Sequence, residues 1–168
     1  MCTCGKIHRR GLLAAAGGVL GAGLLSAPAR SATVTALAIT CIDYRLVDDT
    51  TRFFASQKLT NDYDLVALAG ASLAAVSPRF PSSNAAFWDH VGIAKQLHHI
   101  KKVVVVDHRE CGAFNVAFGK DFKSSGTPEL AQHREVMLQV KARLAKTHPD
   151  LASEFYLMDL KGQTQRVV

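Results

Sequence analysis

Apolar residues along the chain fall into short continuous runs that predict the strands of a buried sheet. The clearest run is Val103–Val106, four β-branched residues in a row, which is typical of a strand covered on both faces. Similar runs predict strands at 33–40 and 64–69. A run at 154–160 predicts a last strand, and the Lys-Gly pair at 161–162 predicts that it turns back into a short hairpin.

Segments with apolar residues at helical spacing separate these strands and predict helices at 48–58, 84–99 and 127–147. The third begins with Thr-Pro-Glu, a strong helix start. A proline-containing loop is expected at 71–83, and an irregular region rich in glycine and lysine at 114–126. Because strands alternate with helices, the predicted fold class is α/β, with a mostly parallel central sheet flanked by helices.

The first 29 residues have the pattern of an export signal. The pair Arg9-Arg10 precedes an uncharged apolar run at 12–25, and Ala-Pro-Ala at 27–29 provides a cleavage site. The arginines resemble a twin-arginine signal, which predicts export of the folded protein to the periplasm, and an ordinary secretory signal is the alternative. The run is too short and rich in glycine for a stable membrane anchor. Residues 30–168 are then expected to form a single domain.

Charge and cysteine content narrow the function further. The net charge is +6, but three of the 20 basic residues lie in the predicted signal. The remaining 17 accompany 14 acidic residues, a balance too mild to indicate nucleic-acid binding. Removal of the signal would also remove Cys2 and Cys4, which leaves Cys41 and Cys111. In an oxidising compartment this pair forms either a disulfide or metal-bound thiolates.

Three residues form a candidate metal site. Cys41 follows the first predicted strand, and His108 and Cys111 follow the four-valine strand. The carboxyl ends of parallel strands meet at one edge of a sheet, so we expect the three side chains to converge there. Two thiolates and an imidazole suit zinc, and three protein ligands leave a fourth position open, as in catalytic sites. Zinc in such a site lowers the pKa of a bound water to ~7 and makes hydroxide available.

An acidic and a basic residue follow the first cysteine closely. On an extended segment Asp43 and Arg45 would point to the same side as Cys41. Asp43 could then accept a hydrogen bond from the zinc-bound hydroxide, while Arg45 keeps the carboxylate ionised and oriented. The alternative interpretation of an Asp-x-Arg sequence is a surface ion pair without a catalytic role.

The two motifs resemble those of the β-class carbonic anhydrases. Residues 41–45 match the Cys-x-Asp-x-Arg motif of that family, and residues 108–113 match its His-x-x-Cys-Gly-Ala motif. Ala69-Gly70 corresponds to the end of a further family segment, and the similarity extends over 33–168. The resemblance implies a β-carbonic-anhydrase-like fold, reversible hydration of carbon dioxide to bicarbonate by zinc-bound hydroxide, and a homodimer or a higher homo-oligomer.

The same resemblance assigns roles to individual residues. The residues implied to bind zinc are Cys41, His108 and Cys111, and the implied catalytic dyad is Asp43 and Arg45.

Four positions depart from the family pattern. Tyr44 stands where serine is common, and Ala67 and Leu68 replace an arginine and an asparagine. Asp107 replaces the glycine before the histidine, which would add a charge next to the metal. These changes leave two alternatives: a zinc hydrolase of another small electrophile, such as carbonyl sulfide or carbon disulfide, and a non-catalytic metal-binding protein. The Asp-Arg pair favours an enzyme.

Overall fold

One five-stranded sheet organises the part of the chain that the computed structural model describes, residues 33–123 and 127–168. The predicted export signal lies outside these residues. The strands are β1 (Ala36–Thr40), β2 (Tyr63–Ala67), β3 (Lys102–His108), β4 (Ala152–Met158) and β5 (Thr164–Arg166). Their order is β2-β1-β3-β4-β5, parallel except for β5, which forms the predicted antiparallel hairpin with β4. The predicted α/β fold is therefore confirmed.

Helices connect the parallel strands. They are α1 (Val47–Ser56), α2 (Ser72–Val76), α3 (Pro81–His98), α4 (Gly112–Phe118) and α5 (Thr127–Thr147), and a 3-10 turn at Tyr44–Leu46 precedes α1. The three predicted helices are confirmed within a few residues. None of the helices in the described part of the chain is long and apolar enough to cross a membrane.

Two segments predicted to be irregular contain helices. The expected loop at 71–83 includes α2 and the start of α3, where Pro81 occupies the first turn, a position in which proline leaves no hydrogen bond unmade. The expected irregular region at 114–126 contains most of α4, because Phe114 is fully buried and anchors that helix to the core. These predictions were wrong because tertiary burial outweighed the local glycine and proline content.

The alternating side chains of β3 pack against helices on both faces of the sheet. Val103 and Val105 contact the cluster that includes Phe87 of α3 and Met137 of α5. Val104 and Val106 contact the phenylalanines of α1 on the other face. All four valines are at most 3% exposed, which confirms a strand buried on both faces.

The strand register aligns the carboxyl ends at one edge. Thr40, the last residue of β1, lies opposite Ala67, the last residue of β2, and opposite Val106 in β3. The chain leaves β1 at Cys41 and β3 at His108, so both residues emerge at the same edge. This edge is where ligands bind in parallel sheets.

Candidate metal centre

Three potential ligands meet at the carboxyl edge of the sheet. The Sγ atoms of Cys41 and Cys111 and a ring nitrogen of His108 lie within 4.8 Å of one another. The two sulfur atoms are 4.0 Å apart. Two thiolates on a tetrahedral zinc ion, with Zn–S bonds of about 2.3 Å, would be ~3.8 Å apart, whereas a disulfide bond is only ~2.05 Å long. The spacing therefore fits metal-bound thiolates and not the disulfide alternative.

The ring of His108 is oriented for metal binding. Its Nδ1 donates a hydrogen bond to the carbonyl oxygen of Arg109 at 2.8 Å. A carbonyl can only accept, so the proton lies on Nδ1 and Nε2 keeps its lone pair. Nε2 is buried and has no hydrogen-bond partner among the described residues. A buried nitrogen in this state, beside two sulfur atoms, fits a zinc ion well.

The two thiols differ in acidity. A hydrogen bond from Cys111 lowers the pKa of Cys41 to about 4, although burial opposes the shift, and His108 and the Gly70 N–H, 3.3 Å from Sγ, add to it. The Cys41 thiolate and burial in turn raise the pKa of Cys111. Burial lowers the pKa of His108, but the charge of the neighbouring Cys41 thiolate outweighs it and raises that pKa. A bound cation would favour the thiolate form of both cysteines. Metal binding would therefore release the proton of any cysteine that is still a thiol.

Asp43 and Arg45 form a bidentate ion pair beside the three ligands. Arg45 Nε donates to Asp43 Oδ1 at 2.9 Å and Nη2 donates to Oδ2 at 2.7 Å. These bonds lower the pKa of Asp43 to about 2, although partial burial opposes them. Oδ2 also lies 3.6 Å from Nε2 of His108. An ionised, oriented carboxylate therefore adjoins the nitrogen that is free to bind a metal.

The segment that carries this pair is not extended, so that prediction was wrong. Tyr44–Leu46 form a 3-10 turn, and Asp43 caps it by accepting a hydrogen bond from the backbone N–H of Arg45 at 3.0 Å. The pair forms nonetheless because the cap brings side chains two residues apart together. Tyr44, at the position where the family commonly has serine, is 85% exposed.

Asp107, the acidic residue expected to add a charge next to the metal, is held by hydrogen bonds from two helices. Its Oδ1 accepts a hydrogen bond from the backbone N–H of Ser72 at 2.8 Å. Its Oδ2 accepts from Ser72 Oγ at 2.5 Å and from His133 Nδ1 at 2.8 Å. The carboxylate thus binds α2 and α5. Sequence reasoning missed both partners, because they lie 35 and 26 residues away.

Two cavities adjoin the candidate site. The smaller, of about 10 Å³, is lined by residues that include Cys41, Asp43 and His108 and has room for about one water-sized molecule. The larger, of about 260 Å³, is lined mainly by apolar side chains, including Leu65 and Ala67. Cys41 lines both cavities. An apolar space therefore borders the candidate metal centre.

Fold and site together define an α/β protein with a candidate three-ligand metal centre. Its sequence matches the family described as "Putative carbonic anhydrase" over residues 31–142. An uncharacterised protein of Rickettsia conorii is 31% identical over 131 residues, which cover 78% of this chain and 70% of that protein. One of Rickettsia bellii is 32% identical over 131 residues, covering 78% and 80%. The chain therefore belongs to this carbonic anhydrase family, which confirms the resemblance seen in its motifs.

Solved β-carbonic anhydrase structures are similar at low sequence identity. The enzyme CafA of Aspergillus fumigatus is 19% identical, with a TM-score of 0.46 over 79% of this chain and 74% of its own. A structure from work on two tetrameric β-carbonic anhydrases of Sordaria macrospora is 18% identical, with a TM-score of 0.47 over 80% and 81%. The tetrameric state is a property of the Sordaria macrospora proteins.

Proposed function

We propose that this chain is a zinc-dependent enzyme that hydrates carbon dioxide reversibly to bicarbonate and a proton. The observation that carries the proposal is the ionised Asp43–Arg45 pair beside a Cys-His-Cys set of zinc-type ligands. Membership of the carbonic anhydrase family supports the reaction class. A non-catalytic metal-binding protein would not need a carboxylate held ionised and oriented next to the metal ligands.

Each residue of the site has a defined part in this proposal. Zinc held by Cys41, His108 and Cys111 would supply a Lewis acid that makes water a nucleophile at neutral pH. Asp43 Oδ2, adjacent to His108 Nε2, accepts the hydrogen bond that orients the nucleophile. Arg45 occupies both oxygens of Asp43 and keeps that carboxylate an acceptor even in acid.

The apolar cavity supports an uncharged substrate. Carbon dioxide carries no net charge and needs no counter-ion, so an apolar space beside Cys41 suits its approach. Carbonyl sulfide and carbon disulfide share the linear, uncharged form and are the alternative substrates on the same grounds.

Stopped-flow carbon dioxide hydration by the zinc-loaded protein tests the proposal. Asp43→Asn keeps the shape but replaces one acceptor oxygen with a donor, and we expect kcat/KM to fall at least ~10-fold. Asp150→Asn is the matched control, because Asp150 forms an exposed ion pair with Lys95 at 2.6 Å outside the candidate site. Unchanged zinc content in Asp43→Asn would show that the loss concerns chemistry and not metal binding.

The outcomes separate the candidate functions. Hydration well above that of free zinc, reduced in Asp43→Asn and retained in Asp150→Asn, is the expected result. No hydration despite one zinc per chain would refute the carbonic anhydrase activity, and hydrolysis of carbonyl sulfide or carbon disulfide would then be measured on the same sample. Equal rates in the wild type and Asp43→Asn would refute the role of the Asp43–Arg45 pair.

Location and assembly are further proposals. The pattern of residues 1–29 supports export to the periplasm through a twin-arginine signal. The family resemblance supports a homodimer or higher homo-oligomer.

A further inference from the structure

Helix α5 carries two buried polar residues on the face that contacts residues 107–110, around the candidate ligand His108. Glu129 is 2% exposed and His133 is 0% exposed. They lie four residues apart, which places them on the same helix face, one turn from each other. Buried glutamate is rare unless it is paired, so both side chains need partners that repay their loss of hydration. The partners of both residues flank His108.

Glu129 binds the short loop between the two ligands His108 and Cys111. Its Oε1 accepts a hydrogen bond from the backbone N–H of Glu110 at 2.5 Å, and its Oε2 accepts from Arg109 Nη1 at 3.1 Å. Glu110 has φ +56°, a left-handed conformation that non-glycine residues rarely adopt. Such a conformation persists only where its surroundings hold it, and Glu129 supplies that hold.

His133 binds the residue on the other side of His108. Its Nδ1 donates to Oδ2 of Asp107 at 2.8 Å, and Ser72 donates two further hydrogen bonds to the same carboxylate. The Phe114 ring packs against the His133 imidazole with centroids 3.8 Å apart. Hydrogen bonds from α5 therefore hold the end of β3 at Asp107 and the following loop at Glu110.

We propose that Glu129 and His133 are positioning residues of the metal centre, which together set the placement of His108 and Cys111. The inference rests on the metal site of the proposed function. Outer partners of this kind orient metal ligands, and their removal typically weakens metal binding about 10- to 100-fold. Neither residue touches the ligand atoms, so both act through Asp107, Arg109 and Glu110.

Zinc affinity and cobalt(II) absorption of the full chain test this inference. Glu129→Gln keeps the shape, but its amide nitrogen faces one of the two donors, so one hydrogen bond is lost. We expect its zinc affinity, measured by chelator competition, to fall about 10- to 100-fold, and the cobalt(II) bands to shift. His133→Leu should behave likewise, whereas His133→Asn, which keeps a donor near Nδ1, should recover most of the affinity.

Matched controls separate positioning from general stability. Glu154→Gln makes the same change in an ion pair with Lys102, the first residue of β3, at the opposite end of the strand from His108. His98→Asn is the control for the histidine variants, because His98 also pairs with an aspartate, Asp64. Both controls should bind zinc as the wild type does. Urea unfolding of every variant shows which are folded, and Glu129→Gln suffices if His133→Leu does not fold.

Four outcomes decide the matter. Weaker zinc binding and altered cobalt bands in Glu129→Gln, with unchanged controls, support the inference. Zinc affinity within twofold of the wild type and an unchanged cobalt spectrum overturn it while leaving the proposed function intact. A wild-type protein that binds no zinc overturns both. A wild type that binds zinc without hydrating carbon dioxide, and whose Glu129→Gln variant binds it weakly, overturns the proposed function alone.

Discussion

Gly70 is where a single methyl group should distort the site measurably. This residue joins β2 to α2 with φ +81°, a conformation that costs an L-residue roughly 1–2 kcal/mol. A Cβ at this position would lie 3.1 Å from the Cβ atoms of Ala113 and Leu73, closer than ordinary contact. The reduced freedom of the unfolded chain offsets about 0.4–1 kcal/mol of the cost. Overpacking of this kind adds about 1–3 kcal/mol. We therefore expect Gly70→Ala to lower the free energy of unfolding by about 1–4 kcal/mol.

Gly92 provides the matched control because the same substitution should have the opposite sign there. Gly92 lies inside α3, and no atom lies within 4 Å of a Cβ at that position. Alanine in place of a helical glycine stabilises by about 0.8–1 kcal/mol. Urea unfolding of the zinc-free, reduced protein, followed by circular dichroism, gives both values if the m-value stays constant.

The Gly70 substitution also tests the thiolate environment. The Gly70 N–H donates to Cys41 Sγ at 3.3 Å and favours the thiolate, so a shifted backbone should raise the pKa of Cys41. Gly70→Ala that is as stable as the wild type, or stabilised as Gly92→Ala is, would refute the argument from backbone conformation and close approach.

Two further predictions follow from burial and charge. The pKa of Cys41 is lowered to about 4, so the rate at which it is alkylated in zinc-free protein should follow the fraction of thiolate. We expect this rate to be constant above about pH 6 and to fall as the pH drops through 4. Cys111→Ala removes the hydrogen-bond donor that lowers this pKa and should move the midpoint upward, and an unchanged midpoint would contradict the assigned cause. Phe155 is fully buried, so Phe155→Ala should lower unfolding free energy by about 3–5 kcal/mol. Leu160→Ala, at a 38% exposed position, should cost far less, and equal losses would refute the core assignment.

Much of the sheet and of the candidate ligand set could be predicted from sequence because both depend on local patterns. The four valines of β3 indicate a buried strand by composition alone, and the structure leaves them at most 3% exposed. Cys41 and His108 could be placed at one edge because they directly follow predicted parallel strands, and the register aligns those strand ends. These inferences required only the direction and order of the strands.

Only the tertiary structure revealed the hydrogen bonds that hold this ligand set. Glu129 could be recognised in the sequence as an acidic residue in the first turn of a helix, where it favours the dipole, but its partner Glu110 lies 19 residues away. Likewise, the replacement of glycine by Asp107 was visible, but its hydrogen bonds to Ser72 and His133 were not.

The chain by itself therefore determined which side chains could bind a metal, and the packing of α2 and α5 decided how they are held. The physical reason is the distance along the sequence between the groups that interact. Strand burial and ligand chemistry are properties of neighbouring residues, whereas satisfaction of buried polar groups depends on elements that meet only in the folded protein.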